Sequence, residues 1–546
     1  MKKNYFSLCL LGCLIFTSVS SQPLITGQRT AGGNDYDWLT SMDLTRDGGW
    51  IAGGYSYSNR SGEKSQNSRG IDDYWIIKFD KTGKIQWDKT IGGNSLDELS
   101  SVRQTKDGGY ILAGYSLSDI SGEKSEPHKG DVDYYADFWI VKLDANGNKT
   151  WDKTIGGFGD ENPPTAEQTS DGGYIVGGSS ESNISGDKTE NSRGALDYWV
   201  VKLDANGNKL WDKTFGGSDY DFLQTIHQTK DGGYILGGYS RSPKSGEKTG
   251  QRRGAEGFED YWIVKLNNAG TKQWDRTFGG TYDDYLADLK QTADGGYILG
   301  GTSWSDISGE KTQNSIGLDD YWIVKVNANG HKQWDKTIGG GAIEDFEAIL
   351  QTRDGGYLLG GYSGSGISGN KTEKNRKSRD YWVVKTDKTG NFVWDKTIGG
   401  FNEDGIMDMK ETKINEYKLA GYSYSGATGD KTGTNRGGNV FSNDYWIVTL
   451  NYTPPMSIAT AEVADKSDLL ETKNHKLIIY PNPAKDILQI HAGAKVAITV
   501  TDQLGKVVLT KNITGNSTLD ISKLQAGIYY LKNNTTGEVQ RVVIAR

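Results

Sequence analysis

From Asp320 the chain reads DYWIVKVN, with Trp322, Val324 and Val326 alternating with Tyr321 and Ile323. A strand apolar on both faces is sandwiched between two layers. Around it lie LADLKQT (286–292), GYILGGTS (296–303) and KQWDKTIGG (332–340), linked through Ala-Asp-Gly and Ala-Asn-Gly. Glycine supplies positive φ at such tight bends. The pattern predicts an antiparallel unit of four strands.

That unit recurs. The Trp of DYW (DFW once) falls at Trp75, Trp139, Trp199, Trp262, Trp322, Trp382 and Trp446, every 60 to 64 residues. A second Trp follows 12 residues later at Trp87, Trp151, Trp211, Trp274, Trp334 and Trp394, and the seventh copy stops before its own. Thr30-Ala31-Gly32-Gly33 aligns with Thr90-Ile91-Gly92-Gly93, so the chain opens on the last strand of a unit. A ring whose N-terminal strand completes the final unit accounts for both facts. The expectation is an all-β fold: a seven-bladed β-propeller of four-stranded blades over residues 22–450, followed by a small C-terminal β-sandwich. The paired glycines Gly237-Gly238 and Gly300-Gly301 are expected to leave room for the indoles of a neighbouring blade.

The motif K-[LV]-[DN]-x-x-G-x-x-x-W-x-x-x-x-G-G, then an acidic residue and D-G-G-Y-[IL], resembles the bacterial secreted β-propeller repeat over about residues 25 to 450. The resemblance implies the fold and no single activity. Residues 451–475, with two prolines and many small residues, read as a linker. Residues 476–546 then show alternating β-branched runs. Tyr480-Pro481-Asn482-Pro483, Asp502-Gln503-Leu504-Gly505-Lys506, Gly527-Ile528-Tyr529 and the basic-apolar end Arg541 to Arg546 resemble the C-terminal sorting domain of type IX secretion cargo. This implies a Gram-negative bacterium of the Bacteroidetes type, type IX machinery as a partner through residues 476–546, and a secreted or outer-surface destination.

Composition narrows the picture further. Residues 1–21 (Lys2, Lys3, an apolar stretch, then small residues) read as a secretory signal peptide. Leu10-Leu11-Gly12-Cys13 is also like a lipoprotein box, although the apolar run continues past Cys13. Cys9 and Cys13 are the two cysteines, so the chain after residue 21 has none and no disulfides. The net charge of -8 gives no reason to expect nucleic acid, and no later segment is apolar enough for a membrane span. A monomer is expected.

Candidate chemistry concentrates on the face carrying the long loops between second and third strands. An acidic residue stands four places after each Gly-Gly: Asp37, Asp97, Glu161, Asp221, Asp284, Glu344 and Asp404. One reading is a carboxylate ring holding a cation such as Ca²⁺. The other is that each carboxylate accepts backbone N–H bonds at its own inter-blade turn. The Lys of S-G-[ED]-K-[ST] could pair with these acids or with the Asp of DYW. Departures from symmetry supply ligand-binding candidates. Tyr57, Trp304 and Tyr424 place an aromatic ring at the loop base, and closure makes the units of Tyr57 and Tyr424 neighbours. His128 and Tyr134 lie in an enlarged second loop, and Arg252 and Arg253 form a basic patch.

The five His are scattered without metal-ligand spacing, and nucleophile-elbow and phosphate-loop motifs are lacking. The functional expectation is a non-catalytic, cell-surface protein binding a glycan or another extracellular macromolecule. Two alternatives stand beside it. One is a secreted glucanase-like glycoside hydrolase using an acid pair at the channel mouth; the other is a structural surface-layer protein.

Overall fold

The computed structural model describes residues 22–130, 135–437, 442–454, 477–480, 484, 486–502, 506–534 and 539–544. The expected signal peptide, with Cys9 and Cys13, Tyr134, and nearly all of the expected 451–475 linker lie outside these residues. The chain divides into two compact units, Met1–Pro455 and Met456–Arg546.

The first unit is a β-propeller built from seven four-stranded antiparallel sheets. In the fifth sheet the strands are Asp284–Gln291, Tyr297–Ser303, Asp320–Val326 and Lys332–Ile338. The seventh holds Asp404–Lys413, Glu416–Ser423 and Asp444–Asn451, and its fourth strand is Leu24–Ala31 from the other end of the chain. Thr30 pairs directly with Trp446. First strands of successive sheets contact one another around the axis and so line a central channel.

The third strands are buried along their whole length in the first six sheets, as their two apolar faces require. Each packs between the preceding sheet and the next, as Trp322 and Val324 do against Tyr261 and Ile263 and as Tyr321 and Ile323 do against Phe346 and Tyr357. The last and first sheets share a core in the same way, with Ala420, Tyr445 and Ile447 against Met42 and Trp75. A chain of hydroxyls follows the ring: Tyr198 Oη donates to the Trp262 carbonyl, Tyr261 to Trp322, Tyr321 to Trp382 and Tyr381 to Trp446. Tyr445 closes the circle by donating to the Trp75 carbonyl at 2.8 Å, while Phe138 lacks the hydroxyl and breaks it once.

The strand-two glycines have a different neighbour from the one expected. A Cβ on Gly237 or Gly300 would meet Leu286 and Leu289, or the Phe346 ring, from the next first strand. One on Gly238 or Gly301 would strike the Phe222 or Tyr285 carbonyl and the hydroxyl of Tyr198 or Tyr261. Close approach of the backbone and this tyrosine, rather than an indole, excludes a side chain there.

The Asp following the second Trp holds each sheet to its own loop. Buried Asp212 accepts the Trp199 indole N–H at 3.1 Å, the Thr189 N–H and O–H at 2.9 and 2.8 Å, and the Lys209 ammonium at 2.9 Å. In the seventh sheet Gln28 replaces it: its Oε1 accepts the Trp446 indole N–H and the Thr432 N–H, both at 3.2 Å. Asp212→Ala strands several buried donors and is expected to cost about 3 kcal/mol, read from the midpoint of urea unfolding. A loss below about 1 kcal/mol would mean that water or neighbouring acceptors replace the carboxylate.

The second unit carries one five-stranded sheet, with Ile487–Asp502 pairing Leu477–Tyr480, Val507–Asp520 and Gly527–Asn533, and Val539–Ile544 pairing Gly527–Asn533. It has its own core, including Leu488, Ile498, Leu519, Leu531 and Ile544.

Candidate functional site

The antiparallel order puts the tight turns on one face of the ring and the long loops on the other. The tight-turn face is fixed by D-G-G. Asp47 receives the Lys78 ammonium at 2.8 Å, the Gly49 N–H and the Thr45 hydroxyl. Partial burial works against the charged form, but these donors prevail and hold Asp47 at about 2. The same Lys–Asp clasp recurs as Lys142–Asp107, Lys202–Asp171, Lys265–Asp231, Lys325–Asp294 and Lys385–Asp354.

On the loop face each of the seven acids serves its own junction. All are fully buried. Asp37 accepts the Gly33 N–H at 2.6 Å and the hydroxyls of Ser56 and Ser58; Asp221 and Asp404 accept from Gly217, Ser242, Gly400 and Ser425 in the same fashion. The same Gly N–H bond is made by Asp97, Glu161, Asp284 and Glu344. Among the described residues, no three His, Cys, Asp or Glu converge as a metal site. The arrangement is the one in which a carboxylate caps its own turn.

Each capping acid also faces the DYW Asp of the preceding sheet. A Cβ on Gly32 would lie 2.1 Å from Asp444 Oδ1 and 3.1 Å from Asp37 Oδ2, and Gly156 stands likewise between Asp137 and Glu161. The first glycine of each Gly-Gly pair is therefore a spacer between two carboxyls. One oxygen of every DYW Asp (Asp73, Asp137, Asp197, Asp260, Asp320, Asp380 and Asp444) is buried without a hydrogen-bond partner. Burial, then the facing acid, pushes the capping acids Asp221 and Asp284 up to about 7 and the DYW acid Asp320 up to about 6, and burial brings Asp260 to about 6. The loop Lys completes the belt without touching the acids directly. Lys64, 1% exposed, donates to Ser56 Oγ, which donates to Asp37; Lys188 reaches Glu161 through Ser180. Burial lowers Lys188 to about 8. The expected pairing with both acids thus operates through hydroxyls and the shared field.

The symmetry-breaking residues separate into two groups. Tyr57 and Tyr424 do come together, through Tyr36, whose ring meets theirs edge-on at 6.1 and 6.5 Å. Beside them Trp38 stacks on Tyr422 at 4.1 Å and on Tyr55 at 6.4 Å. Six aromatic rings thus meet where the first and last sheets close the circle. Sequence reasoning named two of them; Tyr36 and Trp38 could have been found because they flank the capping Asp37. Trp304 is 49% exposed but stands alone in the fifth sheet. Arg252 and Arg253 are already engaged. Arg252 donates to the Arg241 carbonyl, and Arg253 bridges Glu310 of the next loop at 2.6 Å. Equivalent inter-loop bridges are Arg69–Glu123, Arg193–Glu247, Arg376–Asp430 and Arg436–Glu63, so Arg253 belongs to a structural belt. His128 is turned inward, 3.6 Å from Asp137 and bonded to the Tyr135 carbonyl.

Acid pairs also face each other between adjacent sheets near the mouth: Asp72 with Glu98 and, at the same positions, Asp319 with Asp345. Asp72 accepts the Asp97 N–H at 3.2 Å, and Tyr115 donates to Glu98 at 2.5 Å. Burial and the neighbouring Glu98 push Asp72 up to about 8.

Residues 478–545 match the family described as the secretion system C-terminal sorting domain. The protein is a β-propeller repeat protein carrying a type IX sorting domain, and it is delivered to the cell surface or the extracellular space. The chain is similar to the regulatory protein FlaEY of Caulobacter vibrioides, at 22% identity over 86% of this chain and 50% of that one. It thus spans about half the length of that curated relative. Solved structures similar to it include a protein of unknown function from Dyadobacter fermentans (12% identity, 65% of this chain and 94% of that one, TM-score 0.37). Another is the Pan2 WD40 domain of Neurospora crassa (10% identity, 76% and 90%, TM-score 0.39). Among the described residues no helix is long and apolar enough to cross a membrane.

Proposed function

We propose that this is an exported, cell-surface binding protein whose ligand is a glycan, held on the loop-bearing face where the ring closes. The observation that carries this reading is the cluster of Tyr36, Trp38, Tyr55, Tyr57, Tyr422 and Tyr424. Flat aromatic rings beside hydroxyl-rich loops suit the apolar faces of sugars, since such side chains combine a large contact surface with a polar tip. In this reading the seven sheets are the blades of a closed propeller, and residues 22–450 are the functional part. The tail sheet folds over at the register break between Ala492 and Val496 into a sandwich and is the part the secretion machinery reads.

The glycoside hydrolase reading needs carboxyls about 5–5.5 Å apart, or about 6.5–9.5 Å apart, astride a sugar. Asp72 and Glu98 are already engaged, by the Asp97 N–H and the Tyr115 hydroxyl, which supports binding over hydrolysis. A glycan array probed with residues 22–546, with and without a calcium chelator, tests the function. Binding is expected under both conditions, because the capping acids are satisfied by their own turns. A Tyr36→Ala/Tyr424→Ala variant should bind at least about tenfold more weakly with an unchanged melting temperature. An array on which the protein binds nothing would remove this reading.

A further inference from the structure

The aromatic cluster borders a cavity of about 360 Å³ that occupies the loop-face half of the central channel. Trp38, Tyr55 and Tyr115 stand at its mouth, Gln224 and Glu347 project from its wall, and Arg103 forms part of its floor. The floor is closed by side chains that cross the axis. Arg103 of the second sheet reaches Asp408 of the seventh at 3.7 Å, and Lys410 holds the same carboxylate at 2.6 Å. Lys290 bonds Asp288 at 2.8 Å and meets His227, which in turn bonds Glu167 at 3.1 Å. The cavity ends at this septum: Arg103, Asp288, Lys290 and Asp408 line it, while Glu167, His227 and Lys410 do not.

We propose that this blind cavity takes the end of a neutral glycan chain, with Trp38 at the mouth against a sugar face and Gln224 and Glu347 bonding hydroxyls within. The inference rests on the glycan-binding reading above and adds where the chain sits and which end of it is needed. Three observations carry it. The volume lies at the lower end of the range for small-molecule sites, roughly 300–1,000 Å³, enough for roughly one or two sugar rings. The floor charges are paired with one another, so the cavity offers no unbalanced charge to an ionic ligand. The wall holds polar groups with nothing to bond. Gln224 is exposed to the channel, and neither it nor Glu347 makes a side-chain hydrogen bond or ion pair among the described residues. Glu347 is partly exposed to the channel. Burial and the nearby Asp345 raise it to about 8, so at neutral pH it can donate as well as accept.

Because the septum blocks passage, a polymer can only enter end-on, whereas a ligand lying on the face would need no free end. The test is isothermal titration of residues 22–546 with neutral oligosaccharides of the β-glucan, xylan and chitin series, each supplied free or capped at one or the other end by a bulky fluorophore. One cap, not both, should abolish binding. Gln224→Trp, which fills the channel from an exposed wall position, should weaken binding at least about tenfold while leaving the melting temperature unchanged. Glu347→Leu carries the same expectation should the first variant fail to fold. Full affinity in both folded variants, or indifference to both caps, overturns the channel site and leaves face binding standing. Wild-type protein that binds no oligosaccharide of any series overturns both readings.

Discussion

Deleting residues 22–33 is expected to abolish cooperative unfolding of the propeller, whereas deleting residues 456–546 should leave its melting temperature unchanged. The strand Leu24–Ala31 carries few buried side chains of its own, with Ala31 the one fully buried. Its weight lies in what it covers. Without it the third strand of the seventh sheet, Asp444–Asn451, becomes an edge with unpaired N–H and C=O groups along its length. The Trp446 indole and the Thr432 N–H lose the Gln28 acceptor, and Gln28 Nε2 no longer donates to the Asp430 carbonyl. The bond from the Asp37 N–H to the Asn443 carbonyl, which joins the first sheet to the seventh, loses the support of the Gly32-Gly33 turn beside it. An open array can fray from both ends, because each sheet then depends only on its neighbours. Differential scanning calorimetry should show the single sharp transition of the intact chain replaced by a broad one at least about 10 °C lower. A synthetic peptide of residues 22–33 added in trans should restore part of it. A sharp transition at the original temperature in the truncated protein would show that the ring does not rely on this closure.

Architecture was legible because it is written many times over. Six copies of DYW with one DFW, and seven of Gly-Gly, give the period, the alternation in DYWIVKVN gives burial on both faces, and the misplaced Thr30-Ala31-Gly32-Gly33 gives the closure. The destination was legible from the tail, where short words in a fixed order carry the signal. The site was less so, for a physical reason. A repeated polar residue looks the same on paper whether it faces solvent, a ligand or its own turn. The capping acids, the loop lysines and Arg253 all proved to be spent on bonds within the ring. The distinguishing quantity is which donors lie within about 3 Å, and sequence spacing does not give it. Tyr57 and Tyr424 could be brought together because closure follows from the repeat count. Trp38 could be placed beside Asp37, but not its stacking on Tyr422, which depends on side-chain direction across two chain-distant sheets. The channel wall was invisible for the opposite reason: Gln224 and Glu347 occupy a first-strand position that differs in every copy (Thr40, Ser100, Pro164, Ala287, Met407), so no pattern marks it.

The junction carboxyls predict an unusual response to pH. A buried acid whose folded pKa lies above its ordinary value binds more protons folded than unfolded. Its contribution to stability is present in full below the ordinary value of 3.8 and is lost as pH rises through about 6 to 7 for Asp260, Asp320, Asp380, Asp221 and Asp284. The buried lysines act in the same sense near neutrality. Lys124, Lys188 and Lys371 are lowered from 10.5 to about 8, so their contribution is present above 10.5 and lost as pH falls through 8. Both penalties are therefore in force between about pH 7 and 8. Working against acid are the tight-turn carboxylates Asp47, Asp107 and Asp294, held at about 2, whose stabilisation is lost as pH falls from 3.8 through 2. The propeller should be most stable near pH 4 to 5, and its melting temperature should fall by at least about 3 °C between pH 5 and pH 8. One substitution isolates the cause. In Asp380→Asn the side-chain carbonyl can still accept the Arg376 N–H, and the new N–H₂ occupies the place of the orphaned oxygen beside Asp404. That amide supplies permanently the donor that a protonated Asp380 carboxyl supplies only below about pH 7. The variant should melt higher than wild type at pH 8 and equal to it at pH 4.5, while Asp380→Ala, which loses the acceptor, should melt lower at both. A melting temperature that is flat or rises from pH 5 to pH 8 would show that the junction acids ionise without cost, and the account of their raised pKa values would fall with it.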